Sequence, residues 1–445
     1  MYKDFISWRE VILIPLYFVV LYVFMLFVKR KHRNNVLYQK YLMKGFVFKI
    51  CCTILYCFLI YFYWGFGDSI NYFKNALFVK QLIHQGSENF SVLFKDANYL
   101  KDTYSMEGTS TEAGWFLERI ALLLSYLSFS RFVITSMLFA TIAYSGMFKM
   151  FESFAFVMPK WDKQLAFVVL FFPTVSIYGS GILKDTLCIA AMGWLFYCSN
   201  QLLLKKVFKI KYLVIMAICI TLVYQIKIYI VAAFLVPYLI YLIMLLARKI
   251  KNIFLRRLFF PLLLLLLFGI YTLNAAKIDT LLGSYAIEKL LDNVKDQQQS
   301  YLNAEDAGTG ATFDIGTIEP TLSGFVKKMP QGIVATLFRP FIWESKNVLM
   351  IFSALESLLI LLITLFVIWK AGFFKFIRTI FSDPFVFLCV FYALIFAALV
   401  GLSTSNFGTL GRYRIPIVPF YLTGILAVLY KAKFTVPKKQ HEKTV

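Results

Sequence analysis

Asp68 follows two glycines in Trp64-Gly65-Phe66-Gly67-Asp68, and Tyr72 stands four residues further on. If the segment is helical, the carboxylate and the phenol share one face. A carboxylate there could act as general base toward a hydroxyl, hold a divalent cation, or cap the helix that it begins. Glu112 is a second acid of the same kind, in Thr111-Glu112-Ala113-Gly114-Trp115. An acid beside an aromatic ring suits carbohydrate. Its structural alternative is a charge that complements a helix dipole.

The candidate cations fall in three places. Lys184 and Asp185 follow Pro173 and the run Gly179-Ser180-Gly181. A proline and then glycines inside an apolar segment describe a broken helix, and broken helices in membranes line cavities. Lys227 sits in the expected tight hairpin Tyr224-Gln225-Ile226-Lys227-Ile228-Tyr229. Arg339 lies in Arg339-Pro340-Phe341-Ile342-Trp343-Glu344, and Arg412 and Arg414 in Gly411-Arg412-Tyr413-Arg414-Ile415-Pro416. A guanidinium binds phosphate oxygens in a two-pronged fork and stays charged at any relevant pH. The alternative for these arginines is an ion pair with an acid such as Glu344. Taken together, cations would hold a diphosphate leaving group while a carboxylate activates an acceptor hydroxyl. Neither a Gly-rich nucleotide loop nor a Walker motif accompanies them.

The elements that must position these residues are apolar. Hydrophobic residues make up 60% of the 445 and charged ones 16%, with a mean hydropathy of +0.72. That is too little polar surface for a soluble chain of this length. Aromatics are 18%; most are expected to face lipid or pack. The seven cysteines lie in apolar segments without disulfide or zinc spacing. His32, His84 and His441 are expected in loops, which leaves no metal cluster or histidine dyad in the bundle. The net charge of +22 reflects cytoplasmic loops rather than nucleic acid.

The expected fold is an all-α polytopic membrane protein, 1–445 forming a single domain of about 11 spans by the usual length of roughly 20 residues each. The runs are Val11–Val28, a second from Lys49 to Trp64, and 132–148, 164–180, 185–204, 211–226, 228–247, 258–273, 347–369, 384–401 and 414–430. Lys29, Arg30, Lys31 and Arg33 place the first loop in the cytoplasm and the N-terminus outside. Segments 205–211, 248–257 and 370–378 are basic without acids and also fall inside, as does the Lys-rich tail 431–445. Two long loops, 67–131 and 274–346, then lie outside. Residues 115–130 carry Glu118 and Arg119 and are short for a span, so an interfacial or re-entrant helix is expected there.

With this pattern the chain resembles the EpsG/Wzy-type polysaccharide polymerases of bacteria, which are hard to separate here from GT-C-type membrane glycosyltransferases. The resemblance rests on the N-out first span, the basic loop, the Asp68–Tyr72 spacing, Glu112-Ala113-Gly114-Trp115-Phe116, the break at Tyr178–Asp185 and Arg412-Tyr413-Arg414-Ile415-Pro416. Ser69 stands where that family often has tyrosine, and the arginine common before the Asp is missing. The resemblance implies a multi-pass protein of the bacterial inner membrane. It also implies a polyprenyl-diphosphate-linked oligosaccharide substrate, joined into polysaccharide at the outer face, with membrane lipids and other polysaccharide-assembly proteins as partners. On this reading Asp68 and Glu112 are the catalytic candidates. Tyr72, Lys184, Asp185, Lys227, Arg339, Arg412 and Arg414 bind substrate, and no cofactor is required beyond an optional divalent cation. The competing class is a flippase for lipid-linked glycan, expected to carry charge through the depth of the bundle and two similar halves. A ligase is a third reading, weakened because His84 has no recognisable motif around it.

The topology is directly testable. Cysteines introduced by Phe208→Cys and Asn252→Cys should resist an impermeant thiol reagent in intact cells. Efficient labelling at either position would overturn the placement of every candidate residue.

Overall fold

The structure is a computed structural model that describes residues 8–65, 67–104, 111–252, 312–313, 315–316, 319 and 321–434. Among these residues it is helical, with a single antiparallel bridge between Thr312 and Asn406. The expected span at 258–273, most of the segment 274–321 and the tail beyond residue 434 lie outside the described residues. Among the described residues, seven helices are long and apolar enough to cross a membrane, or eight if one bent pair counts as a span. The chain divides into two compact units, Met1–Val231 and Ala232–Val445.

The first unit begins with α1 (Trp8–Lys31), apolar along its length and ended by Lys29, Arg30 and Lys31. A π-helical turn at Tyr38–Leu42 leads into α2 (Met43–Phe58), and a second π turn runs from Leu59 to Trp64. Lys49, expected at the end of a loop, is therefore inside a continuous span, Tyr38–Trp64. Gly65 then takes φ +69° and Gly67 φ +149°, backbone that a side chain would oppose. This reversal starts α3 (Asp68–His84), so His84 closes a helix instead of lying in a loop. Two further helices follow, α4 (Ala97–Tyr104) and α5 (Glu112–Leu127). The Thr111 hydroxyl accepts the Gly114 N–H at 3.1 Å and caps α5. At 16 residues, α5 is shorter than a spanning helix and packs chiefly on α3.

The long α6 (Phe132–Val157) and α9 (Lys184–Leu203) form the main seam of this unit. Between them the expected span at 164–180 is two pieces, α7 (Asp162–Leu170) and α8 (Pro173–Tyr178). Pro173 forces the preceding residue into extended backbone, and Phe172 has φ −71° and ψ 124°. Pro173 then opens the second piece at the position where a missing N–H costs least. Residues 210–247, labelled together α10 (Ile210–Ala247), are two helices that meet at a kink at Lys227, where the backbone has φ −151° and ψ 77°; the break falls where the expected runs 211–226 and 228–247 part.

The second unit holds α11 (Leu322–Phe338), α12 (Val348–Ala371), α13 (Phe373–Ser382), α14 (Pro384–Ser403), α15 (Phe407–Tyr413) and α16 (Val418–Phe434). Part of the expected loop 274–346 is thus a bundle element, because α11 packs along α14. The expected last span, 414–430, is α16, which meets α15 at a bend of 65°.

In each unit a helix pair packs backbone against backbone through glycine. A Cβ at Gly193 would strike the Gly146 carbonyl between α9 and α6, and one at Gly401 would strike the Gly332 carbonyl between α14 and α11. In lipid, neighbouring helices gain little from hiding apolar side chains, and close approach of small residues supplies the attraction. Gly193→Val should therefore lower the yield of folded protein in detergent. The exposed Gly372→Ala, with open space around its Cβ, should cost much less despite its φ of +78°. Size-exclusion profiles of the two variants make the comparison.

Candidate functional site

The first unit gathers polar residues where α3, α5 and the break before α9 meet. The break is held from below by α2. Lys49, buried, donates to the Ser176 carbonyl at 3.0 Å and to Val175 at 3.5 Å, at the C-terminal end of α8. Two turns along the same helix, the Tyr56 hydroxyl meets Ser69 Oγ at 2.9 Å. Ser69 Oγ in turn donates to the Ile182 carbonyl at 3.1 Å. A side chain at Gly181 would collide with the Tyr56 ring. Thr186 Oγ1 donates to the Gly181 carbonyl at 2.8 Å. The first turns of α3 and α9 are thereby tied together, and each carries the positive end of its helix dipole.

Asp68, Tyr72 and Asn75 occupy one face of α3 at spacings of four and three residues. Lys184, the first residue of α9, lies 5.6 Å from the Tyr72 ring centre and 3.5 Å from Thr111 Oγ1. Asn75 Nδ2 donates to Glu118 Oε1 at 2.9 Å. Glu118 is 0% exposed, and its Oε2 has no hydrogen-bond partner among the described residues. Burial raises its carboxyl to about 7, against the opposing pull of the Asn75 bond and the Lys184 charge. Of the sequence-nominated residues, the structure brings together Asp68, Tyr72 and Lys184. It adds Asn75, and Glu118, which was expected on an interfacial or re-entrant helix without an assigned role. The signal for Glu118 was there: an acid in a short apolar run.

Glu112 faces elsewhere. Its Oε1 accepts the Ala97 N–H at 2.7 Å. Trp115 Nε1 donates to the Lys95 carbonyl at 2.8 Å, and Arg119 Nη2 donates to the same oxygen at 2.5 Å. This face of α5 therefore anchors Lys95 and the start of α4, while Glu112 also stands in the first turn of α5, the dipole position weighed for it. Asp185 is also engaged: Lys227 Nζ donates to its Oδ1 at 2.5 Å, and both side chains are buried. Their charges compensate each other at the break in α10, which explains a lysine in an apolar helix.

The arginines belong to the second unit. Arg339 Nε donates to Glu344 Oε1 at 3.0 Å and Oε2 at 3.2 Å, and its guanidinium lies 4.8 Å from the Phe313 ring centre and 5.2 Å from that of Phe407. Glu344 was the acid named as the ion-pair alternative. Arg414 is 0% exposed. It donates to Ser357 Oγ at 2.8 Å and to Glu356 Oε1 at 3.2 Å. Its fork is thus committed inside the protein, not to a surface phosphate. Arg412 is half-buried, with its guanidinium 5.3 Å from the Tyr413 ring centre. Among the described residues no group of three or more His, Cys, Asp or Glu is placed to hold a metal ion. The cysteines are all free. No protein-family model, curated protein or solved structure matches the chain.

Removing one partner of a buried ion pair costs about 3–5 kcal/mol, because the other charge is left uncompensated. Arg414→Ala should accordingly reduce the amount of folded protein, and Arg412→Ala should leave it near normal. The double change Arg414→Met with Glu356→Leu should recover much of the loss. Thermal unfolding in detergent reads all three. A stable Arg414→Ala protein would free this arginine for a ligand role.

Proposed function

We propose that the protein is a membrane glycosyltransferase of the polysaccharide-polymerase kind, acting on lipid-diphosphate-linked sugar units in the bacterial inner membrane. One observation carries this reading: Lys184, the tied N-termini of α3 and α9, and the carboxylates of α3 and α5 lie together at one corner of an apolar bundle. Converging helix N-termini and an ammonium suit an anion such as a diphosphate. Acids within the same corner suit activation of a sugar hydroxyl. In this proposal the Asp68 carboxylate takes the proton of the acceptor hydroxyl. The hydroxyl oxygen bonds to the anomeric carbon of the donor sugar, and the bond from that carbon to the diphosphate breaks. The lipid diphosphate leaves with the electron pair, opposite Lys184 and the helix ends.

Three buried charged residues favour the transporter reading as a rival. Lys49 lies well inside a 27-residue span, and the Asp185–Lys227 pair is buried within the apolar helices. Intramembrane charges mark translocation paths as readily as active sites. A flippase moves lipid-linked sugar without lengthening it, so product length separates the two.

Asp68→Asn is the discriminating substitution. Asp68 is the first residue of α3 and Gly67 its N-cap, with no side-chain cap bond, unlike the capping role the sequence allowed. The isosteric amide should therefore leave protein level unchanged. Glycan lengthening should fall by roughly 10²–10⁴, the usual contribution of a general acid–base group. Full-length polymer from that variant would remove Asp68 from the chemistry.

A further inference from the structure

Resting on the reading above, we propose that Glu118 is the positioning residue of this corner, holding Asn75 of α3 in register with α5 and supplying the counter-charge that keeps Lys184 over Tyr72. The geometry is specific. Gly114 and Glu118 lie one turn apart on the face of α5 turned toward α3. The Tyr72 ring sits 3.6 Å from where a Cβ on Gly114 would be, and the Asn75 amide bonds the carboxyl one turn on. Glu118 is buried, yet Oε2 carries no hydrogen bond among the described residues. Leaving that oxygen unmet is costly, and such costs concentrate where a site uses the charge.

Among the described residues, the ionisable groups around Glu118 are few. Asp68 and Tyr72 share the Asn75 face of α3, and Lys184 comes from α9. Lys80, further along α3, is bonded to the Ser125 carbonyl at 3.1 Å and to Ser130 Oγ at 2.8 Å. On α5 itself, Glu112 and Arg119 turn to the segment before α4. The charged residues of α6, Lys149 and Glu152, pair with each other in its far half. The electrostatics of the corner thus depend on whether Glu118 holds a proton. The carboxyl has its midpoint at about 7: above this it is charged and compensates Lys184, and below it takes a proton and leaves the ammonium uncompensated.

The test uses the full chain in vesicles with a polyprenyl-diphosphate-linked oligosaccharide. Wild-type transfer should fall as pH drops from about 8 to about 6, and Glu118→Gln should fold normally but lose that limb. The glutamine keeps the hydrogen bond to Asn75 and removes the charge. An infrared difference spectrum supplies a readout besides activity. A carboxyl band titrating near neutral pH should vanish in Glu118→Gln. It should move to higher pH in Asn75→Leu, because that bond favours the charged form. An unchanged pH profile in Glu118→Gln, a band that persists there, or an unmoved midpoint in Asn75→Leu would each overturn the proposal. Wild-type protein that transfers no sugar at any pH would sink the glycosyltransferase reading instead, and the infrared band would still decide whether Glu118 is the titrating acid. If Glu118→Gln fails to fold, Glu118→Asp carries the same test with a shifted midpoint expected in place of a lost one.

Discussion

A charge inside an apolar bundle must be answered within the bundle. Water is too far away, and moving an ion into such surroundings costs several kcal/mol even after relaxation. The consequences run through both units. Lys49 takes the carbonyls at the end of α8, Lys227 takes Asp185, and Arg414 takes Glu356 and Ser357. Each pairing joins helices far apart in sequence, so the charges act as registration marks between spans that are otherwise alike in their leucines and phenylalanines. Glu10 extends the rule: its carboxylate accepts the Val133 N–H at 2.7 Å at the start of α6, where a negative charge meets a helix N-terminus.

The same rule explains how much of the site the sequence disclosed. Hydropathy marks the spans well, because a run of 20 apolar residues has few other uses. Chains such as 348–371 and 384–403 emerge within a few residues of the expected bounds. Proline and glycine marked the break before α9, and the Asp68–Tyr72 spacing placed both on one helix face. What the sequence hid was partnership. Lys184 reached the corner with Tyr72, yet its neighbour Asp185 turned to Lys227, and nothing in the local string separates the two. Arg414 and Arg339 looked alike as surface phosphate binders, and their acids, Glu356 and Glu344, lie 58 and 5 residues away.

Residue class was a weaker guide than position on a helix. Glu112 and Glu118 stand six residues apart on α5, so they face different neighbours. The first bonds the backbone of Ala97 and the second bonds Asn75. An acid beside tryptophan looked more like a sugar site than an acid in the middle of a short apolar run. The helix turn reversed that order, by sending Trp115 and Arg119 to one carbonyl and leaving Glu118 to α3. Small residues made the opposite case: a single missing Cβ at Gly146 or Gly193 carries no chemistry, yet it decides how near α6 and α9 can lie.

Lys49 has a further consequence for biosynthesis. A lysine at the middle of a span costs about 2.5–3.5 kcal/mol on insertion, and the carbonyl that offsets it belongs to Ser176, 127 residues later in the chain. When the second span leaves the ribosome, that carbonyl has not been made. The span must enter the bilayer with its ammonium unanswered, reach for lipid headgroups, or wait beside the translocon until α8 arrives. Synthesis from the N-terminus therefore gives this protein an assembly order. Its second helix becomes fully at home in the membrane only when its eighth is complete.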